Sequence, residues 1–111
     1  MHSPAKIVEI ATAYWQSATL IASIQLRVPT LLGTDGKTAS ELAALANCDE
    51  TALLALLEGL CSLDILARDG DVFTNTPSTR MFLVEGEPAY MGSALLYNAD
   101  VYPKWASLSE T

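Results

Sequence analysis

The apolar positions of this chain fall into a long N-terminal stripe, a compact central unit and a looser C-terminal segment. Ser3-Pro4 is a helix start, an N-cap followed by Pro at the first helical position. Ile7, Ile10, Ala11, Tyr14, Ala18 and Ile21 then mark one face, with Val8, Trp15 and Ala22 widening it. Ala13, Leu20 and Ile24 form a second stripe, and what remains is a narrow seam of Thr12, Gln16, Thr19 and Ser23. Charges occur only near the ends, at Lys6, Glu9 and Arg27. A helix apolar nearly all round is buried on most sides. In a domain this small a second copy of the chain supplies that burial most easily, the alternative being a central core helix of the monomer. Arg27 to Gly33 predicts a break and a short helix, with Pro29 near its start and Gly33 closing it. A loop through Asp35-Gly36 follows.

From Lys37 to Asn75 the pattern predicts helix, tight turn, helix and hairpin. Thr38 and Glu41 have the spacing of a capping box, and Leu42, Ala43, Leu45 and Ala46 follow at helical intervals. Asn47 and Cys48 make the turn. Asp49 caps the next helix, and Glu50 in its first turn favours the helix dipole. Leu53, Leu56, Leu57 and Leu60 share one face of that helix. Ile65–Arg68 and Val72–Asn75 are strand-like, and Asp69-Gly70 supplies the positive φ angles of a tight hairpin. This order is that of a winged helix-turn-helix. Beyond it, Thr76-Pro77-Ser78 restarts a helical turn carrying Met81, Phe82 and Leu83, and Glu85 to Pro88 is a linker. Pro88 opens a last helix with Met91, Leu95 and Leu96, which Asp100 to Pro103 interrupts before a further turn with Trp105 and Leu108. The fold class expected is mainly α: a winged helix-turn-helix with a long N-terminal helix, a small β-hairpin wing and extra C-terminal helices. A single domain over residues 1–111 is expected, with N-terminal dimer helices (1–33), the winged unit (37–75) and trailing helices (77–111).

A winged helix is most often a DNA reader, so its charges decide. Between Lys37 and Arg68 there is no Lys or Arg, while Glu41, Asp49, Glu50, Glu58 and Asp64 are acidic. With the Leu stripe inward, the outward face of the second helix is Thr51, Ala55, Glu58 and Ser62. Phosphate contacts and most guanine contacts require Arg or Lys, and the wing holds only Arg68, beside Asp69 and Asp71. The net charge of −7 likewise disfavours nucleic acid and anionic membrane as partners. Only 17% of the residues are charged while 50% are apolar, so part of the apolar surface is expected in an interface.

No apolar run approaches the ~20 residues of a membrane span, and no secretory leader pattern is visible. Cys48 and Cys61, at the two ends of one predicted helix, would sit roughly 18 Å apart, beyond disulfide reach. Reduced thiols and a cytoplasmic setting are expected. With His2 the single histidine, no metal site is expected. The glycines never approach a G-x-G-x-x-G or P-loop spacing, and the serines lack a basic partner. No catalytic, cofactor-binding or metal residue is therefore assigned, and the chain on its own is not expected to be an enzyme. Tyr90, Tyr97, Tyr102 and Trp105 gather near the end with Met91, as core or interface anchors or as the wall of a pocket for a flat ligand.

Five segments in order resemble small-molecule O-methyltransferases of the hydroxyindole, plant phenolic and bacterial polyketide-tailoring types. Residues 26–33 (Leu-Arg-Val-Pro-Thr-Leu-Leu-Gly) are similar to the segment after their first helix. Thr38-Ala39-Ser40-Glu41-Leu42-Ala43 resembles their next helix, Leu53 to Leu66 their Leu-rich helix running into the wing, and Phe73-Thr74-Asn75-Thr76-Pro77 the second wing strand. Tyr102-Pro103-Lys104-Trp105-Ala106-Ser107-Leu108 resembles the aromatic helix that leads toward the catalytic domain. Asp64 departs from the pattern, standing where relatives often carry a helix-ending Gly. The resemblance implies a winged-helix homodimerisation domain whose catalytic part, with its Gly-rich S-adenosylmethionine motif and His base, is a separate Rossmann-like domain; this chain then binds no cofactor itself. It implies a dimer face at Ile7, Ile10, Ala11, Tyr14, Trp15, Ala18 and Ile21. Tyr97, Tyr102 and Trp105 would wall the site of a small aromatic or polyketide-like acceptor. The alternatives are a dimeric winged-helix DNA-binding regulator and a free-standing adaptor.

Overall fold

The structure, a computed structural model, describes residues 3–108; the predicted features at His2 and at residues 109–111 lie outside them. The elements in chain order are α1 (Ala5–Thr12), α2 (Tyr14–Gln25), α3 (Val28–Leu32), β1 (Lys37–Thr38), α4 (Ala39–Ala46), α5 (Glu50–Ser62), β2 (Leu66–Asp69), β3 (Val72–Asn75), α6 (Pro77–Leu83) and α7 (Gly92–Ala106). Helix dominates, with one small antiparallel sheet of order β1-β3-β2, the arrangement expected for a winged helix-turn-helix.

Local chemistry sets the boundaries of the winged unit. The Thr38 hydroxyl accepts the Glu41 backbone N–H at 3.2 Å, and the Glu41 carboxylate accepts the Thr38 N–H at 2.9 Å, which closes the capping box. The Thr38 backbone N–H first, and the Thr38 side chain second, hold the Glu41 carboxyl below its ordinary pKa. Asn47 ends α4 in the left-handed region, and the Asp49 carboxylate caps α5 by accepting the Ala52 N–H at 2.8 Å. After α5 the chain reverses through Asp64 at φ 60°, so Asp takes the left-handed backbone that Gly would adopt more cheaply. In the hairpin, Asp69 pairs with Val72. The turn residues are therefore Gly70 and Asp71, one step later than the sequence suggests, and the positive φ (61°) falls on Gly70. Thr76 caps α6 and Pro77 occupies its first position.

Four boundaries differ from the sequence expectation. The long N-terminal helix is two helices, because the Thr12 hydroxyl donates to the Val8 carbonyl at 2.9 Å and Ala13 bonds Ile10 rather than continuing the regular ladder; such Thr back-bonding bends helices. The last helix begins at Gly92 rather than Pro88. Glu87 to Tyr90 close only a turn, by the Tyr90 N–H to the Glu87 carbonyl, and the Tyr90 ring lies where any side chain at position 92 would collide with it. Asp100 to Pro103 does not interrupt α7, which carries Pro103 inside it: a proline forgoes one ladder bond, and the neighbouring turns continue. Finally, β1 is a third strand, paired Lys37 to Phe73 and Thr38 to Val72. Two residues show no alternation to read, and the approach depends on Gly36, where a Cβ would overlap the Val72 side chain.

The core is built from the winged unit and α3. Val28, Leu32, Leu42, Leu53, Leu57, Leu60, Leu66 and Phe73 form one buried cluster; Leu56, at the edge of the predicted stripe, is only partly buried. At 20–30 cal/mol per Å2 of apolar surface, each such side chain contributes about 1.5–3 kcal/mol before entropy. Two polar ties lock the periphery to it. The Asn75 amide donates to the Pro29 and Gly33 carbonyls, both at 2.9 Å, joining β3 to α3. The buried Thr79 hydroxyl donates to the Ile65 carbonyl at 2.7 Å, joining α6 to the start of the wing.

Candidate functional site

The outward face of α5, which a winged helix offers to DNA, carries no cation. Thr51, Ala55, Glu58 and Ser62 are exposed on α5 as expected. Arg68 of the wing is engaged three ways: its guanidinium donates to Glu58 at 3.1 Å and to the Gly70 carbonyl at 2.8 Å, and lies 4.8 Å from the centre of the Phe73 ring. It is the wing's only cation, and it serves the wing's own packing. Cys48 and Cys61 are free and half-buried, and burial raises the Cys61 thiol above its ordinary pKa. No helix among the described residues is long and apolar enough to cross a membrane.

The apolar surface lies at the other end of the molecule. α1 buries none of its residues, and every residue from Ser3 to Ala18 is exposed. Ile7 is 72% and Ile10 66% exposed. Ala11, Tyr14, Trp15 and Ala18 are exposed beside them, and Ile21 is half-buried. The predicted dimer-face residues are thus arrayed on the outside of one helical arm. Global dimensions register the same thing. The radius of gyration is 15.7 Å, against about 13 Å for a compact chain of this length. The accessible surface of 7468 Å2 exceeds by about 1,500 Å2 the value expected for a folded monomer of this mass.

Between α2 and α7 runs a groove of ≈ 550 Å3. Tyr14, Ala18 and Ile21 of α2 line one side, and Leu95, Tyr102 and Trp105 of α7 the other. Ser17, Gln25 and Asn98 are its polar groups, and no charged side chain lines it. Pro103 also faces it and has no N–H to give the Ala99 carbonyl four residues back. Tyr102 and Trp105 are 59% and 69% exposed. The structure therefore brings Tyr14, Ala18 and Ile21 of the expected dimer face and two of the three expected wall residues to one groove, while Ile7, Ile10, Ala11 and Trp15 lie outside it. Tyr97, although exposed, does not line it. The groove itself was not foreseen, because nothing in the pattern tells that α7 lies along α2 rather than along another helix.

A second feature has no sequence signal at all. Arg27, 58 residues from Glu85, donates to its carboxylate at 2.7 Å and 3.4 Å, and the Glu85 N–H donates to the Thr30 hydroxyl at 3.0 Å. Arg27 sits at φ 61°, unusual for a long side chain, at the junction of α2 and α3. The hydrogen bond from Arg27 holds the Glu85 carboxyl below its ordinary pKa. The pair ties the base of the N-terminal arm to the segment leading into α7.

Comparison with known proteins returns one consistent answer. Residues 8–85 match the O-methyltransferase dimerisation domain family. The chain is 31% identical over 104 residues to the N,N-dimethyltransferase OxyT of Streptomyces rimosus, covering 93% of this chain and 30% of that protein. It is 30% identical over 112 residues to the tetracenomycin polyketide synthesis 8-O-methyl transferase TcmO of Streptomyces glaucescens, covering 99% and 33%. An O-methyltransferase family protein from Burkholderia thailandensis superposes with a TM-score of 0.87 at 29% identity, over 99% of this chain and 33% of that one. The chain spans about a third of the length of the relatives it matches.

Proposed function

This chain belongs to the O-methyltransferase dimerisation domain family, and from that premise we propose that it is the homodimerisation and substrate-wall unit of an S-adenosylmethionine-dependent methyltransferase of secondary metabolism. The observation that carries the proposal is the exposed apolar arm. Ile7, Ile10, Ala11, Tyr14, Trp15 and Ala18 are exposed among the described residues, and Ile21 beside them is half-buried. Covering about 1,500 Å2 on each of two copies would bury roughly 3,000 Å2, in the range of obligate homodimers. The test is light scattering on the purified chain: a mass near twice that of the chain supports the proposal, and a monomer at high micromolar concentration refutes it.

Methyl transfer is assigned to a separate domain, because these residues do not suit the cofactor. S-adenosylmethionine carries a sulfonium, an ammonium and a carboxylate, and such charges require charged or polar partners when removed from water. The groove lining is uncharged, and the chain lacks a glycine-rich loop. Its chemistry fits a neutral, flat acceptor instead, with Tyr102 and Trp105 of α7 as the wall residues, while Tyr97 lies on α7 outside the groove. In the larger enzyme, Trp105→Ala is expected to raise the acceptor KM or lower kcat; unchanged values of both would remove Trp105 from the wall. The names of the relatives include both N- and O-methyl transfer, so the acceptor class is an aromatic or polyketide-like scaffold bearing a hydroxyl or amino group. A cytoplasmic setting, suggested by the two free thiols, belongs to the same proposal. A DNA-binding role draws no support from α5 or the wing.

A further inference from the structure

We propose that the Arg27–Glu85 pair is a latch that sets where α7 lies along α2, and that opening it lets α7 swing without loosening the winged core. Three observations carry this. The first is how loosely α7 is held. Of its 15 residues only Gly92 is buried, and the others stand half-buried or exposed. Burial of an apolar face is what fixes a helix to a fold, so a helix with one buried glycine is placed largely by the anchors at its ends.

The second observation is the anchor itself. α2 ends at Gln25, and Arg27 at φ 61° turns the chain into α3. Both polar groups of Glu85 are held at that corner, its carboxylate by the Arg27 guanidinium at 2.7 Å and 3.4 Å and its N–H by the Thr30 hydroxyl at 3.0 Å. Two charge-assisted bonds to one carboxylate fix direction as well as distance. On backbone grounds alone the position would suit Gly, so what Arg adds there is the side chain that meets Glu85. The third is the connection from the pair to the helix. Residues 85–89 are exposed, yet the Glu87 N–H donates to the Val84 carbonyl at 3.3 Å, the Tyr90 N–H to the Glu87 carbonyl at 3.0 Å and the Met91 N–H to the Phe82 carbonyl at 2.8 Å. The Tyr90 ring then closes on Gly92, the first residue of α7. A displacement of Glu85 is thus passed through bonded turns to the start of α7 rather than absorbed in slack. The two side chains are 56% and 41% exposed, so the pair is of the modest, salt-screened kind. That is enough to bias a loosely packed helix and too little to matter to the buried cluster. The latch stands apart from the function proposed above; joined to it, the latch sets the direction in which Tyr102 and Trp105 are presented.

Distances between spin labels within one chain test this. With Cys48 and Cys61 replaced by Ala, nitroxides are attached at Thr51→Cys on α5 and Asp100→Cys on α7, both exposed sites. The labelled chain is diluted into unlabelled chain, so that only distances within a chain are read. Arg27→Gly removes the latch while easing the backbone. It is expected to raise the population of displaced α7 about two- to fivefold, the range of an exposed pair. A second label pair inside the winged unit, Thr51→Cys with Asp71→Cys, should keep its distribution. Glu85→Arg should displace α7 in the same way, and combining it with Arg27→Glu should restore the narrow distribution. High salt should broaden the parent and leave Arg27→Gly as it is. An α5–α7 distribution that Arg27→Gly leaves unchanged overturns the latch. So does broadening of both label pairs, which would make Arg27 a support of the whole fold. Both labels sit in one chain, so failure of the latch and failure of the homodimer reading are told apart.

Discussion

Among the described residues, three other than glycine adopt left-handed backbone, Arg27, Asn47 and Asp64, and each ends or joins a helix. Asn47 and Asp64 are residue types that visit this region locally, and both stand where the sequence marks a helix ending or a Gly-like position. Replacing Asp64 with Gly should therefore stabilise the chain by about 0.5 kcal/mol, measured as a shift in the denaturant midpoint; a loss of stability would mean that Asp64 makes a compensating contact. Arg27 is different, being paired through its side chain with Glu85, 58 residues away. Glu85 has its folded pKa depressed, so its contribution is fully present above the ordinary carboxylate range and fades as pH falls through the lower folded value. Glu85→Gln should flatten that acid limb of the stability profile, and an unchanged profile would show the exposed pair contributing nothing. Asn75 is the polar residue on which most depends. Asn75→Ala removes the donor from the Pro29 and Gly33 carbonyls and should cost about 1–3 kcal/mol, read from chemical denaturation.

At the scale of elements, the winged unit was legible because its signals are local. The capping box at Thr38 and Glu41, the Asp49 cap, the Leu53, Leu57 and Leu60 stripe and the Thr76-Pro77 restart each act over three or four residues. Each one formed where the spacing put it. Thr38→Ala should cost about 1 kcal/mol in a thermal or denaturant unfolding experiment, and a negligible cost would mean that β1 pairing alone fixes the start of α4. What could not be read was decided by non-local packing or by competing local bonds. β1 is too short to alternate and exists because β3 is there to pair with it. The break at Ala13 comes from a hydroxyl that bonds back into its own helix. α7 runs through Pro103, since one lost backbone bond is smaller than the packing of a 15-residue helix along α2. The candidate site divides the same way: its residues were identified by type, Tyr102 and Trp105 among them, whereas their meeting with Tyr14, Ala18 and Ile21 depends on which helix α7 lies against. Tyr97 was grouped with them by proximity in sequence, and helical geometry turns it elsewhere.

For the molecule as a whole, the account separates a self-sufficient core from an unfinished surface. Residues 28–73 contain the buried cluster, and that unit buries Leu32, Leu42, Leu53, Leu57, Leu60 and Leu66 within one chain. The Ile7, Ile10, Ala11 and Tyr14 face of the N-terminal arm is apolar and exposed, and the groove beside it has no charged lining. A protein with net charge −7 is kept from unspecific association by self-repulsion, while a charge-free face in one place selects a single mode of pairing. The measurement that tests this most directly is sedimentation equilibrium of the chain beside its Ile10→Asp variant, with circular dichroism to confirm that both are folded. The account predicts a dimer for the chain and a folded monomer for the variant, because the substitution buries a carboxylate without a partner in the interface and touches nothing in the core. A variant that remains as dimeric as the parent would contradict it and place the contact between copies elsewhere.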